Sequence, residues 1–363
     1  MVPSQIDTWQ MTEPGKLART RIPMPELKPG EAVVRIAGCG VCHTDLSYFY
    51  MGVPTVQKPP LSLGHEVSGV VIGGASGLAD DLANDLVGRE VIVPAVIPCG
   101  ECELCRGGRG NRCLSQKMPG NSMGIYGGFS SHIVADSRFL CVVPARGATP
   151  LEHLAVIADA VTTPYQAALR ADLKPGDRVI VIGAAGGVGS FMTQTAKAMG
   201  AAAVIGIDIN EDRLRAMTGY GADFVINPRE RSAKDVRESI KGFCKQRGLP
   251  ANTGWKIFEV SGTKAGQELA LALLSFTGKL IVVGYGTAET SYMLSKLMAF
   301  DAEIIGTWGC PPERYADVLA MCLDGRIQIA PFVETRPMSR IVETFEQAHH
   351  GALGRRVVLT PDF

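Results

Sequence analysis

The sequence predicts an α/β protein with an additional, mostly β domain, and three observations support this. Its 363 residues suit two domains, at roughly 100 to 200 residues per domain. In the first 150 residues, short β-rich runs such as 31–36 and 90–93 alternate with Gly and Pro, which predicts an irregular β domain. From about residue 160, strands alternate with helical stretches. This predicts a doubly wound parallel sheet with helices on both faces.

The elements of the α/β part follow from the alternation of apolar runs. Each predicted strand is a short β-branched run, and each helix carries apolar residues at helical spacing. The last sixty residues return to mixed texture. The predicted strands are 178–182, 203–207, 224–226, 255–259, 279–283 and 356–359, and the predicted helices are 189–199, 264–274 and 313–323.

Composition and charge exclude several classes of protein. The 36 basic and 36 acidic side chains give a net charge of zero, so nothing favours nucleic acid or an anionic membrane as a partner. The first residues lack the basic and apolar regions of a secretory signal. The most apolar uncharged stretch, 179–196, contains four glycines and is a poor membrane span. We therefore expect a soluble, cytoplasmic protein.

A glycine-rich turn between a strand and a helix predicts a dinucleotide site. The segment 179–189, Val-Ile-Val-Ile-Gly-Ala-Ala-Gly-Gly-Val-Gly, leads from a buried strand into a helix. Such glycines let the backbone approach a pyrophosphate at the positive end of the helix. Gly186 and Gly189 fit the last two positions of the G-x-G-x-x-G pattern, whereas Ala184 stands at the first.

An acidic residue at the expected distance supports this interpretation and selects the coenzyme. Asp208 follows the next strand, 19 residues after Gly189, where dinucleotide-binding folds place an acid that accepts the ribose hydroxyls. A carboxylate there repels a ribose 2′-phosphate, so NAD is expected rather than NADP. Arg213, five residues later, is either a contact to the adenosine ribose or an ordinary surface arginine.

Four of the ten cysteines lie within fifteen residues. In a cytosolic chain such a cluster indicates metal ligation rather than disulfides. Four thiolates form a closed tetrahedral zinc shell, so Cys99, Cys102, Cys105 and Cys113 predict a structural zinc site. An iron–sulfur cluster also uses four cysteines, but nothing else in the chain suggests electron transfer. The other cysteines, apart from Cys42, are expected to be small core residues.

A second set of metal-ligand residue types stands earlier in the chain. Gly-Val-Cys42-His-Thr-Asp and Gly-His65-Glu each join a ligand residue to a nearby carboxylate. A thiolate and an imidazole suit Zn²⁺. A lone Cys–His pair is usually structural, but here it accompanies a nucleotide fold and a separate thiolate loop, which favours a catalytic metal.

These four motifs, in this order and spacing, resemble the zinc-dependent medium-chain alcohol dehydrogenases over essentially the whole chain. The resemblance implies a GroES-like catalytic domain with two zinc sites, formed by residues 1–160 and 305–363. It also implies a Rossmann NAD-binding domain, residues 161–304, inserted between those parts. The implied cofactors are NAD and two Zn²⁺, one catalytic and one structural, and the implied assembly is a homodimer or tetramer.

The resemblance carries the catalytic zinc ligands of the family onto Cys42 and His65, with Glu66 as an exchangeable or neighbouring carboxylate. The third ligand is a cysteine in many members and falls here on Asp159. An aspartate keeps the charge of the shell but hardens it, which alters metal binding and preference. The alternative role of Asp159 is a helix cap at the domain junction.

Further residue roles follow from the same resemblance. Asp45 matches the carboxylate that orients the liganding imidazole, and Thr44 matches the hydroxyl that contacts the substrate oxygen. Ser47 replaces a proton-relay histidine and cannot hold a proton near pH 7, so the relay is shortened to water or altered. The implied catalytic residues are Thr44, Ser47 and Glu66, and the implied NAD contacts are His43, Thr163, Gly183, Gly186, Gly187, Val188, Gly189, Asp208, Arg213, Val283 and Arg356.

The implied reaction is oxidation of a secondary alcohol to a ketone, with hydride transfer to NAD. The aromatic loop 47–54, Ser47 and Asp159 resemble the 6-hydroxycyclohex-1-ene-1-carbonyl-CoA dehydrogenases of anaerobic benzoyl-CoA degradation. Those enzymes oxidise a ring alcohol to the conjugated ketone, so the expected small-molecule partner is a cyclic acyl-CoA. The loop aromatics either line the substrate site or pack in the core, and no residue demonstrates CoA binding.

Other functions remain open at this stage. A general secondary or aromatic alcohol dehydrogenase is the nearest. A zinc-free enone or quinone reductase on the same fold is disfavoured by Cys42, His65 and Asp159. A non-enzymatic zinc-loop interaction protein is disfavoured by the neutral charge and by the nucleotide motif.

Overall fold

The computed structural model describes residues 2–75 and 82–363. The strands in chain order are β1 (Gln5–Glu13), β2 (Lys16–Pro23), β3 (Glu31–Gly40), β4 (Leu61–Ser62), β5 (Glu66–Gly74), β6 (Glu90–Val93), β7 (His132–Asp136), β8 (Cys141–Val142), β9 (Arg178–Ile182), β10 (Ala203–Ile207), β11 (Phe224–Ile226), β12 (Trp255–Glu259), β13 (Lys279–Val282), β14 (Glu303–Gly306), β15 (Val333–Pro337) and β16 (Arg356–Thr360). The helices are α1 (His43–Tyr50), α2 (Leu82–Asp85), α3 (Glu103–Arg106), α4 (Thr162–Arg170), α5 (Gly189–Ala198), α6 (Glu211–Ala216), α7 (Ala233–Arg247), α8 (Lys264–Leu273), α9 (Ser295–Phe300), α10 (Tyr315–Leu323) and α11 (Ile341–His349).

The chain divides into two compact units. The first consists of Met1–Thr162, Gly309–Leu323 and Ile329–Phe363. The second consists of Thr163–Trp308 and Asp324–Gln328. The coenzyme-type α/β segment is therefore an insertion in the chain of the first unit.

The first unit is a β structure with two sheets. A three-stranded sheet has the order β2-β1-β4, and a seven-stranded sheet has the order β15-β16-β3-β5-β6-β8, with β7 also paired to β3. Alternate residues of β3, including Val34 and Ile36, point into one apolar core together with Phe129 and Phe345. The core positions β3 and β5, whose ends carry the predicted metal ligands.

The second unit is one parallel sheet of six strands in the order β11-β10-β9-β12-β13-β14. Successive residues of the central strand β9 lie in different cores. Ile180 and Ile182 belong to one apolar cluster, and Val179 and Val181 to the other. Both faces of the sheet are therefore buried, as expected for a sheet with helices on each side. The doubly wound parallel sheet predicted from the sequence is confirmed.

The observed division differs from the predicted domain ranges at three places. Residues 161 and 162 belong to the first unit, and two parts of 305–363, which the prediction assigned to the first domain, belong to the second. β14 pairs with β13 as the sixth strand of the parallel sheet, so the second unit continues to Trp308. The segment Asp324–Gln328 also belongs to the second unit. There the Gln328 N–H donates to Oε1 of Gln194 at 2.7 Å.

The cysteines outside the two predicted metal sites are mostly core residues, as expected. The side chains of Cys39, Cys141, Cys244 and Cys310 are buried, and Cys322 is half-buried. Within the described residues, no helix combines the length and the apolar character needed to cross a membrane.

Candidate functional site

Four side chains with metal-binding atoms converge in the first unit. Cys42 immediately precedes α1. His65 and Glu66 stand at the start of β5, and Asp159 follows a short 3-10 helix. The antiparallel register of β3 and β5 sets Gly40 opposite Glu66, which brings the first two segments together. One ligand atom from each side chain lies within 4.8 Å of the other three.

The spacing of these atoms fits a tetrahedral zinc ion. Sγ of Cys42 lies 3.6 Å from Oδ2 of Asp159. Nε2 of His65 lies 3.5 Å from the same oxygen. Bonds to tetrahedral zinc are about 2.0 to 2.3 Å long, so sulfur and oxygen ligands stand about 3.6 Å apart and nitrogen and oxygen ligands about 3.4 Å apart. The residues therefore fit the metal that the sequence predicts.

The two ring nitrogens of His65 have different surroundings: an aspartate lies beside Nδ1, and Nε2 faces the other metal-binding atoms. Nδ1 lies 3.4 Å from Oδ1 of Asp45. The Asp45 carboxylate is itself fixed, because it accepts the N–H of Cys42 at 3.1 Å and the N–H of Gly64 at 3.0 Å. Among the described residues, Nε2 of His65 is buried without a well-formed hydrogen bond. A proton on Nδ1 would leave the Nε2 lone pair for a metal ion.

The electrostatics of this place favour a cation. Burial acts to lower the pKa of His65, but the charge of Asp45 and hydrogen-bond interactions with Asp159, Asp45 and Cys42 raise it well above its usual value. These three acidic neighbours stabilise a positive charge at the imidazole. A bound metal ion would replace the proton there.

Glu66 is paired with an arginine from β16. Nε of Arg356 donates to Oε2 of Glu66 at 2.9 Å, and Nη2 donates to Oε1. Burial acts to lower the pKa of Arg356, but the negative charges of Glu66 and Cys42 raise it above its usual value. A Cβ at Gly40 would collide with Oε2 of Glu66, so this pair requires glycine at position 40. Glu66 therefore borders the metal ligands while both of its oxygens are engaged by Arg356.

α1 carries the residues predicted to face substrate. Oγ1 of Thr44 lies 3.7 Å from Sγ of Cys42, so this hydroxyl borders the metal cluster. Oγ of Ser47 is buried and donates to the carbonyl of His43 at 2.9 Å. This bond commits the Ser47 proton to the helix backbone and leaves only the oxygen lone pairs for a relay.

His43 and Arg356, both predicted to contact the pyrophosphate, lie in one cationic neighbourhood. Desolvation by the surrounding chain lowers the pKa of His43, and the charges of Arg356 and His349 lower it further. The imidazole of His43 is thus neutral near pH 7 and offers one N–H donor. Contact of either residue with the coenzyme stays a prediction.

The aromatic residues of the loop 47–54 differ in their surroundings. The ring of Phe49 packs edge-on against Phe345, with 5.4 Å between ring centroids. The ring of Tyr50 stacks on His349, with 4.2 Å between centroids. Two of the loop aromatics are therefore engaged by α11, which leaves Tyr48 as the aromatic side chain on the side of Thr44.

The cysteine quartet forms a second cluster in the first unit. Sγ–Sγ distances are 3.4 Å for Cys102 to Cys105, 3.8 Å for Cys102 to Cys113 and 3.9 Å for Cys99 to Cys105. Tetrahedral zinc with bonds of about 2.3 Å sets sulfur ligands about 3.8 Å apart. Backbone and thiol hydrogen bonds from Cys105 lower the pKa of Cys102 to about 6. All four cysteines are free, and the set fits a closed zinc shell.

The glycine-rich turn of the second unit fits a dinucleotide. Gly183, directly after β9, has a φ of +86°, and a Cβ there would meet the backbone N of Ser261 at 2.9 Å. Gly186 and Gly187 are exposed, and Gly189 begins α5 after Val188. Open backbone at the N-terminus of a ten-residue helix suits a pyrophosphate.

Asp208 joins the predicted ribose site to this turn. Its Oδ2 accepts the N–H of Ala185 at 2.9 Å, and its Oδ1 accepts the N–H of Asn210 at 2.9 Å. A carboxylate oxygen that accepts one bond retains a lone pair for a ribose hydroxyl. The two features that predict NAD are therefore adjacent.

Three further predicted NAD contacts lie elsewhere in the second unit. Thr163 is half-buried in α4, and Arg213 is half-buried in α6. Val283 follows β13, and its N–H donates to the carbonyl of Glu259 at 2.9 Å. Their contacts with the coenzyme stay predictions.

Sequence reasoning missed Tyr315, which fixes the backbone before Asp159. The Tyr315 hydroxyl donates to the carbonyl of Ala158 at 2.5 Å and accepts the N–H of Ala95 at 3.1 Å. Oγ1 of Thr162 donates to the same Ala158 carbonyl at 3.2 Å. Tyr315 and Ala158 are 157 residues apart, so no local spacing could have revealed this bond.

Two family models and one relative of similar length identify the family. The model of the alcohol dehydrogenase GroES-like domain matches residues 28–145, and that of the zinc-binding dehydrogenases matches residues 187–324. An alcohol dehydrogenase of Geobacillus stearothermophilus is 30% identical over 336 residues, which cover 92% of this chain and 93% of that protein. The chain belongs to the zinc-dependent medium-chain alcohol dehydrogenases. The family predicted from the motifs is thereby confirmed.

Solved structures of similar proteins share the fold over nearly the full length. Acetophenone reductase from Geotrichum candidum, in complex with NAD, has a TM-score of 0.84 at 26% identity, covering 99% of this chain and 98% of its own. The alcohol dehydrogenase of Aeropyrum pernix has a TM-score of 0.84 at 27% identity, covering 98% of this chain and 100% of its own. The predicted combination of a GroES-like domain with a Rossmann-type domain is confirmed.

Membership of this family fixes the general activity. This chain is an oxidoreductase of the zinc-dependent alcohol dehydrogenase type, which acts on small molecules. Zinc and NAD are cofactors that fit this family.

Proposed function

We propose that this dehydrogenase oxidises a secondary alcohol to a ketone with NAD, using a zinc ion held by Cys42, His65 and Asp159. The observation that carries the proposal is the buried Nε2 of His65, which has no well-formed hydrogen bond among the described residues and lies 3.5 Å from the Asp159 carboxylate. Three protein ligands leave a fourth position for substrate, as in other catalytic zinc sites. Glu66 supports the cluster as a neighbouring carboxylate through its pair with Arg356.

The side chains around the cluster have distinct roles in this reaction. When bound, zinc supplies Lewis acidity that lowers the pKa of the substrate hydroxyl, and NAD supplies the hydride acceptor. Asp45 holds His65 in the tautomer with its proton on Nδ1. Thr44 accepts the hydroxyl proton at Oγ1 and passes it to water. Ser47 contributes through its oxygen lone pairs only, since its proton is bound to the His43 carbonyl.

Metal analysis and a pair of cysteine variants test the ligand assignment. Protein purified without chelator should contain one zinc ion for each of the two clusters. Cys42→Ala should lose one zinc ion and all turnover, while NADH binding, followed by fluorescence, stays near normal. Cys141→Ala removes a buried cysteine outside both clusters and should keep both ions.

Two results would contradict the assignment. Full turnover by Cys42→Ala would show that this thiol does not hold the catalytic metal. If the active wild-type enzyme contains a single zinc ion, that of the cysteine quartet, the result would favour an enone or quinone reductase on the same fold that works without a catalytic zinc ion.

We propose further that the substrate is 6-hydroxycyclohex-1-ene-1-carbonyl-CoA, oxidised to 6-oxocyclohex-1-ene-1-carbonyl-CoA in anaerobic benzoyl-CoA degradation. The support is the resemblance carried by Ser47 in place of a histidine, Asp159 in place of a cysteine, and the aromatic loop. A panel that compares free cyclic and aromatic alcohols with cyclic acyl-CoA thioesters, assayed by NADH appearance, tests it. Higher kcat/KM for the free alcohols would favour a general secondary or aromatic alcohol dehydrogenase.

We infer that two copies of the chain associate through the free edge of β14. β14 ends the six-stranded sheet, and its neighbour α9 has no buried residue. Met293, Leu294 and Met298, in and just before α9, are 64%, 72% and 79% exposed. An unpaired strand edge with exposed apolar side chains favours pairing with another chain. Sedimentation should show an oligomer that dissociates when Leu294→Glu and Met298→Glu are combined, and unchanged assembly would contradict the interface.

We also infer that the protein works in a reducing compartment, the cytoplasm. All ten cysteines are free, and thiols stay reduced in the cytosol, where disulfides are rare. Fractionation of the source cells tests this.

A further inference from the structure

One polar side chain beside the metal cluster is not used by the mechanism above. Tyr48 is 8% exposed, and its ring belongs to the apolar core of the first unit. It follows Thr44 by four residues in α1, so the two side chains lie on one face of the helix. Because Oγ1 of Thr44 lies 3.7 Å from Sγ of Cys42, this face borders the metal cluster.

The hydrogen bonding of Tyr48 leaves its proton available. Oδ1 of Asn121 accepts the N–H of Val56 at 3.0 Å, which fixes the orientation of the Asn121 amide. Nδ2 of Asn121 therefore donates to the Tyr48 oxygen, at 2.5 Å. An amide NH₂ cannot accept a proton. Within the part of the chain that the structure describes, the Tyr48 hydroxyl has no further hydrogen-bond partner.

The phenol is a donor at neutral pH and stands within electrostatic range of the metal ligands. Burial is the largest influence and raises the pKa of Tyr48 above its usual value. The charges of His65, Asp45 and Cys42 also act on this group. Tyr48 therefore keeps its proton under working conditions and can give a hydrogen bond to a ligand near the cluster.

We propose that Tyr48 donates a hydrogen bond to a second oxygen of the substrate, a carbonyl oxygen attached next to the alcohol carbon. Thr44 serves the alcohol oxygen, and side chains four residues apart on a helix have Cβ atoms about 5–6 Å apart. Because a phenol oxygen stands farther from its Cβ than a threonine hydroxyl does, Tyr48 can reach an oxygen beyond the alcohol group of the same small molecule. The site would select β-hydroxy carbonyl compounds over plain alcohols.

This inference rests on the proposed function and deepens it. In a 6-hydroxycyclohex-1-ene-1-carbonyl thioester, the thioester carbonyl is attached to the ring carbon next to the alcohol carbon. A site built to hydrogen-bond such an oxygen discriminates against analogues that lack it, because its buried donor is then left without a partner. Tyr48 is therefore a specificity residue for the acyl group.

A comparison of two substrates with Tyr48→Phe tests the proposal. One substrate is the pantetheine thioester of 6-hydroxycyclohex-1-ene-1-carboxylate, and the other is cyclohex-2-en-1-ol, the same allylic ring alcohol without the acyl group. We expect Tyr48→Phe to lower kcat/KM for the thioester about tenfold and that for cyclohexenol less than about twofold. Tyr50→Phe removes an exposed phenol hydroxyl from the same helix and is the matched control, expected to change neither value.

Each other outcome decides the question as well. Equal losses on both substrates would indicate a structural role and overturn the proposal, as would no loss on either substrate. Zinc content is measured in every variant, and loss of zinc in Tyr48→Phe would also overturn it. If the wild-type enzyme oxidises neither alcohol, the proposed function fails.

In that case ketone binding decides the role of Tyr48 separately. Ethyl 2-oxocyclohexanecarboxylate and cyclohexanone are titrated against the zinc- and NADH-loaded protein, followed by NADH fluorescence. Weaker binding of the keto ester alone in Tyr48→Phe supports the hydrogen bond to a second oxygen. Equal binding of both ketones by wild type and variant rejects it.

Discussion

The two metal clusters of the first unit are built in opposite ways. The cysteine quartet comes from one loop of fifteen residues, 99–113. The Cys42–His65–Asp159 cluster combines segments up to 117 residues apart and depends on the register of β3 and β5. The local cluster therefore stabilises its own loop, whereas the non-local cluster exists only when the fold is complete. Its ion should be sensitive to changes far from the ligands.

Removal of one ligand from the non-local cluster is expected to have the largest effect on turnover. Asp159→Ala should lower kcat/KM about a thousandfold or more, because the Lewis acid contributes several kcal/mol to the reaction. Zinc content should fall by one ion while the thermal midpoint changes little. Steady-state kinetics with metal analysis checks this. If Asp159→Ala keeps both ions, Asp159 is a helix cap and not a ligand.

The same change in the local cluster should act on stability instead. Cys105→Ala should release the quartet zinc and lower the thermal unfolding midpoint, because structural zinc sites contribute folding energy directly. The turnover of the protein that remains folded should stay within about threefold, since the loop supplies no reacting group. Calorimetry and limited proteolysis of the loop provide the measurement. An unchanged midpoint would show that the two clusters do not differ in this way.

A remote variant tests the sensitivity of the non-local cluster. Tyr315→Phe removes the hydrogen bonds to Ala158 and Ala95 that hold the backbone before Asp159. Zinc transfer from the catalytic cluster to a chelator should become about tenfold faster, the scale of outer contacts in metal sites. Tyr126→Phe, at an outer tyrosine of the same unit, is the control. Equal rates of zinc transfer in Tyr315→Phe and wild type would show that Tyr315 contributes to the stability of the fold and does not influence the catalytic zinc ion.

The smallest effect is expected at Ser47. Its hydroxyl is buried and bound to the His43 carbonyl, so Ser47→Ala should change kcat less than about twofold. Thr44→Val, on the same helix, should lower kcat about a hundredfold or more, because a group that takes part in proton transfer contributes at least that much. The pH dependence of alcohol oxidation measures both. A large change in the profile of Ser47→Ala would restore serine to the proton path.

The same contrast explains what could be predicted from the sequence. The quartet and the glycine-rich turn with Asp208 were readable because each depends on spacings within one or two adjacent elements. The pairing of Glu66 with Arg356 spans 290 residues, and that of Tyr315 with Ala158 spans 157. Bonds of that length depend on the completed packing and leave no trace in local spacing.

Two other features were beyond sequence reasoning for physical reasons. The second unit ends later than predicted because β14 is an exposed edge strand, whose residues lack the buried apolar pattern of a central strand. The availability of the Tyr48 proton depends on which way the Asn121 amide faces, and the N–H of Val56 fixes that direction. Such an orientation cannot be read from residue type.

The ion pair of Glu66 and Arg356 has a consequence for biosynthesis. Cys42, His65 and Asp159 are synthesised well before Arg356, which follows Glu66 by 290 residues. In the meantime an unneutralised buried carboxylate opposes closure of this part of the nascent polypeptide. We therefore expect stable acquisition of the catalytic ion to be a late step, after the inserted coenzyme unit has already been synthesised.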